Sequence, residues 1–263
     1  MGNIIRQILV VLATAGVIAV NALANILPFN NKTTGEISDA FDVYFVPAGY
    51  VFAIWGLIYV ALAAYSIYQA LPAQRENPRL QRIGYLYILS CLANGVWLVL
   101  WHYEYFAWTM VAMGALLLLL IAIYLLLGIG RVPVSRAEKW MVHVPFSLYL
   151  GWITVATIAN ATDLLYSLNW DGWGIGPEWW AVIMLVVATV VAVLVCLTRG
   201  DVAYGLVIVW AFAGIVVSQI DTLLVAIVAG VMAFIVLVMA LVGASRATDL
   251  RPAQPGRAVR DRW

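Results

Sequence analysis

The chain has 263 residues, of which 65% are hydrophobic and only 10% are charged, and its mean hydropathy is +0.98. Soluble domains contain ~25% charged residues, so a soluble globular fold is excluded. The net charge is +1, and the basic residues are confined to short loops and a tail. This pattern also excludes a nucleic-acid-binding surface.

Eight apolar segments follow one another along the chain, each long enough, or nearly so, to cross a bilayer, which takes ~20 residues. They lie at about 4–27, 48–71, 83–101, 106–130, 140–161, 178–198, 202–220 and 222–243. The pattern predicts an all-α polytopic membrane bundle of about eight transmembrane helices. Gly and Pro interrupt the two longest connections, 28–47 and 162–177, which predicts irregular turns with at most short helices.

The distribution of Lys and Arg predicts the orientation. Thirteen of these fourteen residues fall on one side of the segments, and Lys32 alone falls on the other, here called the outer side. The thirteen are Arg6, Arg75, Arg79, Arg82, Arg131, Arg136, Lys139, Arg199, Arg246, Arg251, Arg257, Arg260 and Arg262. Cytoplasmic loops retain Lys and Arg. We therefore expect an integral multi-pass protein of the cytoplasmic membrane with both termini in the cytoplasm.

Three parts of the chain differ in composition. Asn, Tyr and Trp occur inside the first five segments, whereas Val, Ala, Leu and Ile dominate the last three. We expect a five-helix bundle at 1–163, a three-helix transmembrane extension at 164–245 and a basic cytoplasmic tail at 246–263. The tail is interpreted as a topology anchor, with binding to anionic lipid headgroups as the alternative. In segment seven, the small residues Gly214 and Ser218 are spaced for close backbone approach.

The segments offer little that could carry out catalysis. No two carboxylates share a segment, no cluster of His, Cys and Asp has metal-ligand spacing, and no Ser has a neighbouring base. The two histidines, His102 and His143, fall on opposite sides of the membrane. We therefore expect no enzymatic activity, no catalytic residue and no dedicated metal site.

Aromatic and amide side chains are concentrated on the outer side. Nine of the twelve Trp residues fall in the outer half or in outer loops: Trp55, Trp97, Trp101, Trp108, Trp152, Trp170, Trp173, Trp179 and Trp180. An interfacial aromatic belt accounts for Trp108, Trp179 and Trp180. It fits poorly for Trp55, Trp97 and Trp152, which the helical rise places about 6–13 Å below the boundary.

Asn21, Asn25, Asn94 and Tyr149 reach similar depths in segments one, three and five. Amides and indoles together suit a flat, largely apolar ligand, because rings stack on aromatic faces while amides bind a few polar atoms. We favour an outward-opening aromatic pocket walled by the indoles of segments two, three and five. Helix packing is the alternative role for the same side chains.

Three sequence motifs resemble those of the tryptophan-rich sensory protein family, also called the TspO or translocator protein family. VPAGYVFAIWGLIY at 46–59 is similar to the family motif that enters helix two, Trp-x-Pro-Pro-x-Trp-Val-Phe-x-x-Trp-x-x-x-Tyr. NGVW at 94–97 is similar to its third-helix Asn-x-x-Trp, and WITVATIAN at 152–160 to its fifth-helix Trp-x-x-x-Ala-Thr-x-x-Asn. The resemblance covers about residues 1–163.

Several positions depart from the family pattern. Phe45 and Tyr50 stand where the family has Trp, and Ala48 replaces one Pro of the pair. Pro145 lies one turn early relative to the family's Pro-Tyr before the fifth-helix Trp. Segments six to eight have no counterpart in the usual five-helix members.

The resemblance implies a five-helix pocket, capped by the first outer loop, that binds tetrapyrroles, sterols or related flat hydrophobic molecules. The residues that it implies for the site are Phe45, Tyr50, Trp55, Tyr59, Asn94, Trp97, Tyr149, Trp152, Ala156 and Asn160. Trp101, one turn beyond Trp97, is our own addition to this wall. No covalent cofactor is implied, but a porphyrin, haem or chlorophyll-type ring is a candidate ligand. His102 is a weak candidate for an axial ligand to its metal, and an ordinary interfacial histidine is the alternative.

Three functions remain open at this point. The first is a membrane sensor or regulator that binds tetrapyrrole-type ligands, with a role in regulation or pigment handling. The second is an accessory subunit of a larger membrane complex, such as a photosynthetic assembly, docked through segments six to eight. The third is a small-molecule transporter. The expected partners are membrane lipids, a planar hydrophobic ligand and, in the second case, a pigment–protein complex.

Overall fold

The computed structural model describes residues 2–27 and 29–249 and contains no strand within them. Eight long helices follow one another in the predicted order, which confirms the all-α polytopic fold. They are α1 Gly2–Ile26, α2 Ile54–Ala70, α3 Pro78–His102, α4 Phe106–Leu127, α5 Val144–Ser167, α6 Pro177–Arg199, α7 Val202–Ser218 and α8 Leu223–Asp249. Of the predicted basic tail, residues 250–263 lie outside the described residues.

Seven of the eight helical segments are long and apolar enough to cross a membrane. The remaining helix, α7, has 17 residues and is shorter than the predicted segment 202–220. The short 3₁₀ segment Gly49–Ala53 leads into α2 and extends that span to 22 residues. The eight predicted segments are therefore present as seven full-length candidate spans and one shorter apolar helix.

Local capping explains where the helices differ from their predicted bounds. α3 begins five residues before the predicted segment because Asn77 caps it, accepting the Arg79 N–H at 3.1 Å, and Pro78 occupies the first turn. A π-helical turn, Lys139–His143, leads into α5, whose second residue is Pro145. Proline has no N–H to donate to the preceding turn, and a widened turn accommodates this gap.

The first five helices form a closed ring in which each packs on two neighbours, in the order α1, α3, α4, α5, α2 and back to α1. The last three form a second layer, because α8 packs on α6 and α7 while α7 packs on α5. The short helix Thr34–Asp39 lies on α3 at the outer end of the ring. α5 continues to Ser167, into the second of the two predicted outer connections. The rest of that connection and residues 29–47 of the first contain this short helix and 3₁₀ turns, as predicted.

The second layer is attached to the segment that enters α2. A Cβ atom built on Gly214 of α7 would lie 2.2 Å from Val51 Cγ2, so only glycine permits this approach without movement. The Ala48 N–H donates to the Gly214 carbonyl at 3.1 Å, and Ser218 Oγ donates to the Val46 carbonyl at 2.8 Å. The predicted close approach therefore occurs, and it joins α7 to a loop segment rather than to another helix.

Candidate functional site

A cavity of about 300 Å³ lies among α1, α2 and α3 in the outer half of the ring. Its lining combines amides, aromatic rings, one leucine and two residues of the short outer helix: Asn21, Asn25, Thr34, Gly35, Phe52, Trp55, Tyr59, Trp97 and Leu98. Trp55 and Trp97 both line this void. α1 rather than α5 supplies the third wall.

Two amides of α1 are fixed by hydrogen bonds that leave their carbonyl oxygens free. The Asn21 amide donates to the Val17 carbonyl at 2.9 Å and to Asn94 Oδ1 at 2.8 Å. The Asn25 amide donates to the Asn21 carbonyl at 2.9 Å. Neither Asn21 Oδ1 nor Asn25 Oδ1 accepts a hydrogen bond from the described residues. Both oxygens are thus available to a donor on a ligand.

The aromatic walls are built from stacked pairs. The Trp55 ring stacks on Tyr59 with centroids 5.3 Å apart and an interplanar angle of 18°. The Trp97 ring stacks on Trp101 at 5.5 Å and 21°. Behind Trp55, the Trp152 ring meets its face edge-on at 6.2 Å and 81°. Because each indole is held by a second ring, the walls present fixed flat surfaces.

Two hydrogen-bond chains connect these walls to α5. The first continues from Asn94, whose amide donates to the Tyr149 hydroxyl at 3.1 Å. The second begins at Trp97, whose Nε1 donates to Asn160 Oδ1 at 2.8 Å. The Asn160 amide then donates to Thr109 Oγ1 of α4 at 2.9 Å. Both chains are buried, so they fix the relative positions of helices that carry the cavity.

A fully buried hydroxyl at the cavity also lacks a partner. The Tyr59 hydroxyl is buried, accepts and donates no hydrogen bond within the described residues, and belongs to a side chain that lines the void. Buried polar groups are almost always hydrogen-bonded, because an unpaired one loses its hydration without compensation. A ligand with a polar atom at this position would satisfy the hydroxyl.

The predicted site residues, including Trp101, divide into three groups. Trp55, Tyr59 and Trp97 line the cavity. A supporting shell holds these walls through the stacking and hydrogen bonds described above: Asn94, Trp101, Tyr149, Trp152 and Asn160. The third group, Phe45, Tyr50 and Ala156, does not line the cavity. Phe45 is buried in the hydrophobic core, and Ala156 packs against that core. The Tyr50 ring lies edge-on to Trp210 of α7, with centroids 5.5 Å apart.

Six lining residues were not among the predicted site residues: Asn21, Asn25, Thr34, Gly35, Phe52 and Leu98. The depth of Asn21 and Asn25 was predicted, but neither was included in the predicted site. Phe52 lies within the motif at 46–59, three residues before Trp55, and could have been selected from it. Thr34 and Gly35 come from the first outer connection, which carried no local signal beyond its length. Their position depends on the fold of that connection, including the hydrogen bond from Trp101 Nε1 to the Thr34 carbonyl at 3.2 Å.

His102 is engaged by the protein. The ring is fully buried, and its Nδ1 lies 2.8 Å from the Leu98 carbonyl, while Nε2 lies 3.5 Å from Thr34 Oγ1. Phe29 meets the ring edge-on at 5.6 Å. His102 does not line the cavity, so metal ligation by this side chain would require these contacts to break. Within residues 2–27 and 29–249, no three His, Cys, Asp or Glu residues are grouped to hold a metal ion.

Comparison with known proteins identifies one family. The family model described as TSPO-like protein matches residues 7–242. The match includes α6, α7 and most of α8, and thus extends beyond the residues 1–163 that carry the motif resemblance. No curated protein and no solved structure matches the chain.

Proposed function

Because the chain belongs to the TSPO-like protein family, we propose that this integral membrane protein binds a flat, largely apolar ligand of the tetrapyrrole type in the cavity among α1, α2 and α3. We further propose that binding serves regulation or pigment handling. The observation that carries the proposal is the void lined by the Trp55 and Trp97 indoles, at which the Tyr59 hydroxyl has no partner.

The aromatic walls of the void favour a planar guest, and its volume limits the size of that guest. Ligand pockets usually measure ~300–1,000 Å³, so a cavity of about 300 Å³ lies at the small end of this range. A compact ring system would fit as the cavity stands. A complete tetrapyrrole would require the short helix Thr34–Asp39, which contributes Thr34 and Gly35 to the lining, to move outward.

The polar atoms around the void favour a ligand with both donors and acceptors at its edge. The Asn21 and Asn25 carbonyl oxygens offer acceptors for ring or amide N–H groups, and the Tyr59 hydroxyl offers a donor. The lining contains no carboxylate, histidine or cysteine. The proposal is therefore binding rather than catalysis by a side-chain acid, base or nucleophile.

Titration of the purified protein with protoporphyrin, followed by the absorption and emission of the porphyrin, tests this function. We expect saturable binding with one site per chain. Trp55→Leu removes a stacking surface, which is worth up to ~1.5 kcal/mol, so it should weaken binding by about tenfold. Tyr59→Phe should weaken binding with the stacking wall intact.

Trp108→Leu is the matched control, because Trp108 is 63% exposed and lies outside the cavity lining. It should leave the affinity unchanged. Absence of saturable binding, or an equal loss in the Trp55 and Trp108 variants, would overturn the proposed function.

A further inference from the structure

A second groove lies at the opposite end of the molecule, on the side rich in Arg. It has a volume of about 270 Å³, and the apolar side chains Ile4, Ile8, Val11 and Leu12 of α1 form its length. Arg75, in the connection between α2 and α3, also lines it. We propose that this groove binds an anionic phospholipid, with the phosphate at Arg75 and an acyl chain along α1.

Two arginines at this end have no acidic partner. The described residues form two ion pairs, Lys32 with Glu104 and Arg79 with Glu138, and neither includes Arg6 or Arg75. The Nε atoms of both arginines are buried without a hydrogen-bond partner. Arg6 is only 3% exposed, and its single hydrogen bond runs from Nη2 to the Arg75 carbonyl at 3.4 Å. A positive charge buried in this way requires a nearby counter-charge.

The nearest acid is already engaged by neutral side chains. Glu76 follows Arg75 in sequence, and both of its carboxylate oxygens lie 3.2 Å from the Asn3 amide nitrogen. The Gln81 amide approaches the same carboxylate at 3.4 Å. The carboxylate is therefore directed toward two amides rather than toward either guanidinium. Of the two arginines, Arg75 lines the groove, so an anion bound there would supply its missing counter-charge. Guanidinium groups suit phosphate geometry well.

The backbone around the groove is fixed in place. The Gln7 amide donates to the Gln69 carbonyl at 2.6 Å and to the Leu71 carbonyl at 3.3 Å. The Gln69 amide donates back to the Gln7 carbonyl at 3.1 Å. Arg6 also packs tightly on α3, because a Cβ atom on Gly84 would lie 2.7 Å from Arg6 Cδ. These contacts hold α1 and the end of α2 in register, so the groove is a built feature.

The apolar length of the groove favours a lipid over a soluble anion. Ile8 and Leu12 are 52% and 61% exposed, and both lie within a candidate membrane span. From Ile4 to Leu12 the helix rises about 12 Å, enough to contact a substantial part of an acyl chain. A free phosphate would use none of this surface. Basic pockets between membrane helices are suited to anionic headgroups, whose acyl chains occupy the adjacent apolar surface.

Native mass spectrometry of the full-length protein, with phosphatidylglycerol and phosphatidylcholine of identical acyl chains, tests the proposal. We expect phosphatidylglycerol to be retained about fivefold better than phosphatidylcholine, and Arg75→Gln to remove this preference. Arg131→Gln, an exposed arginine on the same membrane side and outside the groove, should preserve it. Equal retention of the two lipids by the wild type, or equal losses in the two variants, would overturn the site.

A second pair of variants tests the apolar half without altering charge. Ile8→Trp fills the groove and should reduce retention of phosphatidylglycerol, whereas Leu9→Trp, at an adjacent position outside the lining, should not. Addition of inorganic phosphate distinguishes the source of the anion. Retention unaffected by millimolar phosphate supports a lipid, and displacement by phosphate contradicts it. Porphyrin binding plays no part in these measurements, so the two proposals fail independently.

Discussion

Trp97 and Asn160 are joined across the bundle by a buried hydrogen bond of 2.8 Å from the indole Nε1 to the amide Oδ1. Trp97 forms a wall of the cavity, whereas Asn160 lies in α5 and does not line it. The same amide donates to Thr109 of α4 at 2.9 Å. One side chain therefore connects three helices of the ring and fixes the orientation of a cavity indole.

Asn160→Leu should destabilise the protein and weaken ligand binding together. The substitution leaves the Trp97 N–H without an acceptor and Thr109 without its donor. We expect the free energy of unfolding to fall by about 1–3 kcal/mol, because the substitution removes hydrogen bonds between membrane helices and leaves buried polar groups unpaired. Thermal unfolding in detergent measures the stability, and protoporphyrin titration measures the affinity.

Thr157→Val is the control for Asn160→Leu. Thr157 lies one turn earlier in α5, and its hydroxyl donates to the Ile153 carbonyl of its own helix at 2.7 Å. Removing this local bond should change neither helix packing nor the Trp97 ring. Equal effects of the two substitutions would show that the Trp97–Asn160 bond has no special role.

Gly214→Ala should disturb the segment that enters α2. The new Cβ would lie 2.2 Å from Val51 Cγ2 and 2.9 Å from Pro47 Cβ, and overpacking of this kind costs about 1–3 kcal/mol. Because Val51 precedes Phe52 of the cavity lining, we expect a weaker affinity for protoporphyrin as well. Thermal unfolding and titration measure the two effects.

The clash also predicts a rescue. Val51→Ala in the Gly214→Ala background removes the closest contact and should recover part of the stability, as a double-mutant cycle would show. Gly114→Ala in α4 is the matched control, since a Cβ there meets no atom within 4 Å. It should leave stability unchanged or raise it by up to about 1 kcal/mol through helix propensity. No rescue by Val51→Ala would contradict the steric explanation.

Asp201→Ala should reduce stability without altering the cavity. Asp201 caps α7 by accepting the Tyr204 N–H at 3.1 Å, and its Oδ2 accepts the Tyr124 hydroxyl at 2.8 Å and the Ser147 hydroxyl at 2.6 Å. These bonds join α7 to α4 and α5 at the Arg-rich end. Bonds to a charged acceptor contribute about 1.5–3 kcal/mol each, so we expect a loss of at least 2 kcal/mol.

The affinity for protoporphyrin should remain near the wild-type value in the folded fraction, because none of these four residues lines the cavity. Asp201→Asn keeps one carbonyl oxygen and should cost less than Asp201→Ala. A marked loss of affinity in either variant would show that the second layer and the cavity are coupled.

The membrane helices were predictable because a bilayer imposes length and apolar composition on each span. Helix ends were less predictable, since the start of α3 depends on Asn77 and Pro78 rather than on hydropathy. The concentration of Trp and Asn in the outer half indicated a pocket there, and a void in that half is lined by Trp55 and Trp97. The order of the spans along the chain does not specify which helices are neighbours in space. We expected α5 to form the third wall of the cavity, but α1 forms it. The contributions of Thr34 and Gly35 depend on how an irregular connection folds.

The short helix Thr34–Asp39 over the cavity should loosen in acid because Glu36 completes its capping box. The Thr33 N–H and the Thr33 hydroxyl donate to Glu36 Oε2 at 2.7 Å and 2.9 Å, and these bonds lower the pKa of the Glu36 carboxyl below its ordinary value of 4.5. A lowered folded-state pKa contributes stability above the ordinary value, and this contribution is lost as the pH falls through the folded-state pKa.

We therefore expect protoporphyrin to dissociate faster as the pH falls below 4.5, as stopped-flow measurement would show. Glu36→Gln removes the charge while keeping the size of the side chain. Protoporphyrin should therefore dissociate faster from this variant at neutral pH, and its dissociation rate should no longer depend on pH in this range. Asp39→Asn, at the other end of the same helix, makes no capping contact and should retain the wild-type profile. If Glu36→Gln followed the wild-type pH profile, the cap would have no part in retaining the ligand, and the acid effect would have to arise from another group.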